Sequence, residues 1–223
     1  PSTKKKIRYR PFLVKEEKIL IIAMESQSDT EIANAVKDVL STCILTKGVK
    51  VDTLSTFDIE YLFLNIRGKS VGEDVEVLVT CPDDNKTKVP VRINLDDIKI
   101  ITHDDHKRDI KLDDSLLMRM RYPSINEFIK SNFSTSEVKS EDTFDLIISC
   151  IEQIFNDEES WSTSDCTKEE MNDFLDQLNS NQFKEIEKFF DTMPKLSHTL
   201  TVNNPNTKVK SDIKLEGLAA FFA

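Results

Sequence analysis

Thr87-Lys88-Val89-Pro90-Val91-Arg92-Ile93-Asn94-Leu95-Asp96-Asp97-Ile98 is the stretch on which the reading of this chain turns. It returns loosely near the C-terminus as Thr207-Lys208-Val209-Lys210-Ser211-Asp212-Ile213-Lys214-Leu215-Glu216-Gly217-Leu218. Threonine, lysine, valine, isoleucine and leucine recur in one order, followed by an acid and a closing Ile or Leu. Each copy follows a turn-rich run, Cys81-Pro82-Asp83-Asp84-Asn85 in the first and Asn203-Asn204-Pro205-Asn206 in the second. Both therefore read as hairpins whose returning strand carries its apolar residues on alternating positions. A repeat 120 residues apart, from Thr87 to Thr207 in a chain of 223, suggests two related halves. Chance likeness of two lysine-rich hairpins is the alternative.

Working outward, each hairpin is preceded by a short strand and several helices. Ile7 to Arg10 alternates like a strand and stops at Pro11, and Leu13 to about Glu25 has helical spacing. Ser28-Asp29-Thr30-Glu31 is a capping box, opening a helix with Ile32, Val36, Val39, Leu40 and Cys43 on one face. A third helix starts at Ser55 or Thr56 and leads to a hairpin over about 75–101. The polar run Asp104 to Asp109 marks the half-boundary. Leu117 to Pro123 then matches Lys6 to Pro11 in style, with apolar and Arg residues alternating before proline. A second box at Ser124 to Glu127 opens a short helix through Phe128 and Ile129. Helix is expected again over 143–156, the run Asn156 to Asp165 reads as loop, Thr167 to Glu170 is a third box, and Asn181 is placed to cap a last helix. The second hairpin spans about 197–216. The expected architecture is α+β, with an N-terminal half over 1–108 and a C-terminal half over 109–223 that ends in an apolar tail.

The totals narrow the function. Charged residues make up 31% and the net charge is −10, which argues against general nucleic-acid binding, because that needs clustered basic charge. The charge is uneven: residues 137–178 hold thirteen acids with only Lys139 and Lys168 as bases, whereas residues 4–10 hold three lysines and two arginines. These runs are either solvated surface or faces that meet oppositely charged neighbours. The apolar run Ile19 to Met24 is far shorter than the about 18 residues of a membrane helix, and the basic start is followed by no secretory segment. Pro1 is consistent with a removed initiator methionine, and synthesis in the cytoplasm is expected.

Candidates for chemistry are few. Four glycines leave no room for phosphate-cradling loops, and no nucleophile elbow is present. His103-Asp104-Asp105-His106 has ligand types close together, but its neighbours suggest an exposed loop rather than a metal site. Asp83-Asp84-Asn85 lacks the glycine and glutamate of a calcium loop and reads as a turn. Glu158-Glu159 beside Trp161 reads as solvated acids rather than a carboxylate pair held across a cleft. Cys43, Cys81, Cys150 and Cys166 have no metal-knuckle spacing; Cys43 and Cys150 fall on apolar helical positions. Phe221 and Phe222 either dock on the protein's own core or anchor in a partner's groove.

Tyr9-Arg10-Pro11-Phe12-Leu13-Val14-Lys15-Glu16-Glu17-Lys18-Ile19-Leu20 resembles the opening of the baseplate hub and hub-assembly proteins of T-even-like contractile-tailed bacteriophages. The ending Leu215-Glu216-Gly217-Leu218 followed by Phe221-Phe222 resembles the close of the same family. The resemblance implies a non-enzymatic structural part of a tail baseplate hub, made in the host cytoplasm and located in the virion. Its partners would be other hub and tail proteins, with neither nucleic acid nor membrane. A transient hub or tail assembly chaperone is the alternative, and a wall-cleaving enzyme a distant third. Candidate partner-binding residues are Lys4, Lys5, Lys6, Arg8, Arg10, Phe221 and Phe222. Some relatives carry C-x-x-C knuckles suited to zinc at the hairpin tips. Here only Cys81-Pro82 remains at the first tip and no cysteine at the second, so no cofactor is expected and the turns must close by their own hydrogen bonds.

Overall fold

The first hairpin pairs β1 (Asp74–Thr80) with β2 (Lys88–Asn94), antiparallel, with Val77 opposite Val91. The second pairs β8 (Lys195–Asn203) with β9 (Lys210–Glu216), with Leu200 opposite Ile213. In this computed structural model, residues 1–26, 28–127 and 140–216 are described. The chain divides into two compact units, one of Pro1–Ile101 with the segment from Pro194 onward, the other Thr102–Met193. Both hairpins thus lie in the first unit, whereas the sequence reading gave one to each half. The reason is a shared core: Val75, Val77, Val79 and Ile93 of the first hairpin cluster with Leu196, Leu200 and Val202 of the second. Strand β3 (Lys99–Ile101) pairs antiparallel with β8, Ile101 opposite Lys195.

Three helices precede the first hairpin. Helix α1 (Val14–Glu25) buries Leu20 and Ala23. Helix α2 (Asp29–Cys43) is capped by the Ser28 hydroxyl, which accepts from the Glu31 N–H, and buries Val36, Val39, Leu40 and Cys43. Helix α3 (Thr56–Val71) is capped by Ser55 and buries Phe57, Ile59, Leu62, Phe63 and Ile66. It stops at Gly72, whose φ of 110° is open to glycine but strained for other residues. Full burial of these aromatic and aliphatic side chains removes roughly 1.5–3 kcal/mol each of unfavourable water contact.

The second unit is built on a four-stranded antiparallel sheet, in the order β4 (Asp109–Lys111), β5 (Leu117–Met120), β6 (Ile151–Phe155), β7 (Ser160–Ser162). Its helices include α4 (Ser140–Cys150), α5 (Lys168–Asp176) and α6 (Ser180–Thr192). Met118, Met120, Ile147, Ile151, Met171, Ile186 and Phe189 form its core. Three sequence expectations are corrected here. The helix expected to reach residue 156 ends at Cys150, because the Cys150 carbonyl accepts from the Arg121 N–H at 2.7 Å and the chain passes into a strand beside β5. The loop expected from Asn156 to Asp165 contains β7, which pairs with β6. The last helix is capped by Asn179, whose side chain accepts from the Asn181 and Gln182 N–H groups, rather than by Asn181.

One piece of the sequence repeat recurs in three dimensions. Arg10 donates its N–H to the Cys43 carbonyl at 2.9 Å and Arg121 to the Cys150 carbonyl at 2.7 Å, in each case at the end of a helix. The Arg10 guanidinium then binds Glu16 at 2.9 Å and the Arg121 guanidinium binds Glu127 at 2.5 Å. The second carboxylate oxygen takes the N–H of Leu13 at 2.7 Å and of Ser124 at 2.8 Å, satisfying an open donor at the start of a helix. Arg10 holds the buried Glu16 carboxyl down at about 2. In the second arrangement, burial pushes the thiol of Cys150 up to about 12, the behaviour of an inert buried cysteine.

Candidate interaction surfaces

The hairpin tips are closed by side-chain hydrogen bonds. In the first, the Asp84 carboxylate accepts the N–H groups of Lys86 and Thr87, each at 3.0 Å, and the Thr87 hydroxyl at 2.5 Å. In the second, the Asn204 side-chain oxygen accepts the N–H groups of Asn206 at 2.9 Å and Thr207 at 3.3 Å. Each tip turns through one left-handed residue, Asn85 and Lys208. The two tips are also tied to each other. The Asn204 amide donates to both Asp83 oxygens at 3.1 and 3.0 Å, the Thr207 hydroxyl donates to Asp83, and the Asn206 amide donates to the Thr87 hydroxyl oxygen at 2.9 Å. Cys81 and Asn204 are fully buried at this junction. The sequence predicts turns closed by their own hydrogen bonds; the cross-ties between the tips carry no local signal in it.

The Thr207 and Asn204 donors hold the Asp83 carboxyl below its ordinary range. Because the folded value lies below the unfolded one, the stabilisation is present above the unfolded carboxyl value of about 3.9 and is lost as pH falls through the folded value. Asp83→Ala is therefore expected to lower the thermal midpoint of the first unit at pH 7. The gap from wild type should close at strongly acidic pH, as calorimetry across pH will show.

Lys4, Lys5, Lys6 and Arg8 are exposed. The strand expected over Ile7 to Arg10 is reduced to a single bridge, and the segment is held at Arg8 and Tyr9: the Arg8 N–H donates to the Thr46 hydroxyl at 2.7 Å, the Arg8 carbonyl accepts from Leu45 at 2.8 Å, and Tyr9 bridges to Ile44. Arg10, by contrast, is engaged by Glu16. Phe221 and Phe222 lie outside the described residues, as do Phe128 and Ile129. Within the acidic stretch, Lys168 pairs with Asp145 at 2.7 Å, and the first turn of α5 carries Glu169 and Glu170. Glu158 and Glu159 donate their N–H groups to Asn156 in a turn, and Trp161 is exposed on β7.

An apolar surface on α1 adds to these. Val14 and Ile22 are each 66% exposed, with Ile19 and Ile21 also on the outside. The signal was in the sequence: four consecutive apolar residues, Ile19 to Ile22, wrap around a helix and cannot all face one core.

His103 is exposed and does not join His106. His106 is held between the Thr192 hydroxyl, 2.9 Å from Nδ1, and the Tyr122 hydroxyl, 3.0 Å from Nε2. Thr192 gives its own hydrogen to the Lys188 carbonyl at 2.6 Å, so Nδ1 donates and Nε2 accepts. Among the described residues no three His, Cys, Asp or Glu side chains are grouped to hold a metal ion. No helix among them is long and apolar enough to cross a membrane.

A family model described as T4 bacteriophage base plate protein matches residues 1–223. No curated protein and no solved structure matches the chain.

Proposed function

The chain belongs to the T4 bacteriophage base plate protein family, and from that membership we propose that it is a non-enzymatic structural component of the tail baseplate hub, binding neighbouring hub and tail proteins in the virion. The observation that carries this reading is the family match over the whole length. The surfaces support it. A basic segment held at Arg8 and Tyr9, with Lys4, Lys5, Lys6 and Arg8 projecting, suits an acidic neighbour and would steer and orient docking. The uncovered Val14, Ile19, Ile21 and Ile22 on α1 supply apolar area for such a contact. On this reading the tips are rigid ends of a scaffold, and neither metal nor nucleic acid takes part.

The alternative is a hub or tail assembly chaperone that leaves before maturation, for which the same apolar helix face would hold an unassembled client. Cross-linking with mass spectrometry distinguishes the two. Lysine cross-links from Lys4 to Lys6 into hub proteins are expected in intact particles. Cross-links found only in lysates of infected cells would favour the chaperone.

A further inference from the structure

Strand β9 is an edge strand whose sequence is complementary to itself. It lies outermost in the order β3-β8-β9, and among the described residues only β8 pairs with it. At the tip, the Asn204 N–H donates to the Val209 carbonyl at 2.9 Å, and the register continues as Asn203 opposite Lys210. Bonded and non-bonded pairs alternate along an antiparallel ladder. Ser211, Ile213 and Leu215 therefore bond inward to β8, and Lys210, Asp212, Lys214 and Glu216 turn their N–H and C=O groups to the open edge. The side chains of the same four residues are exposed, while Ile213 and Leu215 pack against the shared hairpin core. Such an edge is a template for one more strand.

The charges indicate which strand. Reversing Lys210-Ser211-Asp212-Ile213-Lys214-Leu215-Glu216 against itself about Ile213 sets Lys210 opposite Glu216 and Asp212 opposite Lys214, with Ile213 opposite its own copy. By symmetry each pair occurs twice, and no like charges meet. In the single chain these groups have only exposed local partners, Lys214 with Glu216 at 2.7 Å and Asp212 with Thr201 at 2.6 Å, which leaves them available for new ones. The other long edges lack this property. On β1 the same operation sets Glu76 opposite Leu78, and β2 carries Pro90, which has no N–H to offer.

We propose that the open edge of β9 is a self-association surface. A second copy of this chain adds its own β9 antiparallel, with the two-fold axis at Ile213, so that the three-stranded sheets of two protomers join into one of six. This deepens the reading of the chain as an assembly component, and it is tested apart from presence in the virion.

The test is sedimentation velocity of the full chain over a range of concentrations. Wild type is expected to show a reversible dimer. Lys214→Pro removes an outward N–H while sparing the ladder to β8, and Lys214→Asp sets like charges opposite Asp212 of the partner. Each is expected to raise the dimer dissociation constant by about tenfold or more, with circular dichroism unchanged. The exchange Asp212→Lys with Lys214→Asp restores opposite charges across the axis and is expected to restore the dimer even if the proline variant fails to fold. A chain that is monomeric at every concentration overturns the proposal, as does a dimer that neither single substitution weakens. Loss of a different baseplate protein, rather than of a second copy, from the Lys214→Pro variant would also overturn it.

Discussion

Leu196→Ala is expected to cost about 2–5 kcal/mol of stability, the range for removing a fully buried leucine side chain. Leu196 has no exposed surface, and it sits on β8 in the cluster that also contains Val75, Val77 and Val79 of β1. The variant leaves a cavity facing both hairpins, and neither can collapse into it without shifting its own ladder. Denaturant titration gives the size of the loss. Hydrogen exchange gives its reach: amides of β1 should lose protection together with those of β8 and β9, although Val77 and Leu196 are 119 positions apart. Loss confined to β8 and β9 would mean that the hairpins do not share a core.

Phe189→Ala is the corresponding lesion in the second unit, with an expected cost of about 3–5 kcal/mol. Phe189 is 2% exposed. Its ring meets His106 at 5.2 Å, Tyr122 at 5.8 Å and Phe190 at 5.2 Å between centroids, so truncation removes a large apolar area and three ring contacts at once. Burial lowers the His106 pKa, with Asp105 opposing the shift and His103 and Arg108 adding to it. A folded value below the unfolded one means that the neutral ring is favoured in the folded state. Stability from this group is therefore complete above the unfolded value of about 6.5 and declines as pH falls from there towards the folded value. In the alanine variant water reaches the ring, and the His106 pKa should rise towards its ordinary value in an NMR titration. An unchanged His106 titration would show that Phe189 is not what shields it.

Much of the local structure was legible because its causes are local. Ser28, Ser124 and Thr167 each accept the backbone N–H three residues on, the pattern read directly from the sequence. Both hairpins follow from alternating valines and isoleucines around Asn, Asp and Pro turns. Strand β6 was hidden because Ile151 and Phe155 continue the helical spacing of Phe144, Ile147 and Ile148, so periodicity alone could not end the helix at Cys150. What ends it is Arg121, which comes from another part of the chain. Strands β4 and β7 are three residues each, too short to show an alternation.

The grouping of the hairpins was harder to see for a different reason. Likeness between Thr87 to Ile98 and Thr207 to Leu218 suggested separate halves, yet similar apolar faces are also what two hairpins need in order to pack on each other. Asp83 reaching Asn204 and Thr207 is the polar counterpart of that packing, and no local pattern predicts a contact over 121 or more positions. Among the candidate contact residues, Arg10 was read as one more positive charge of a basic strand. The glutamate six positions later, at N3 of a helix, was the sign that its partner is internal, and the same spacing recurs from Arg121 to Glu127.

The chain belongs to the T4 bacteriophage base plate protein family, and the structural role proposed for it is a lasting place in the baseplate. The most direct test is quantitative mass spectrometry of purified phage particles, with each protein measured relative to the other baseplate subunits. A structural subunit is expected at one fixed ratio to those subunits in independent preparations. Absence from the particle, with the protein abundant in the lysate that produced it, would contradict the structural role.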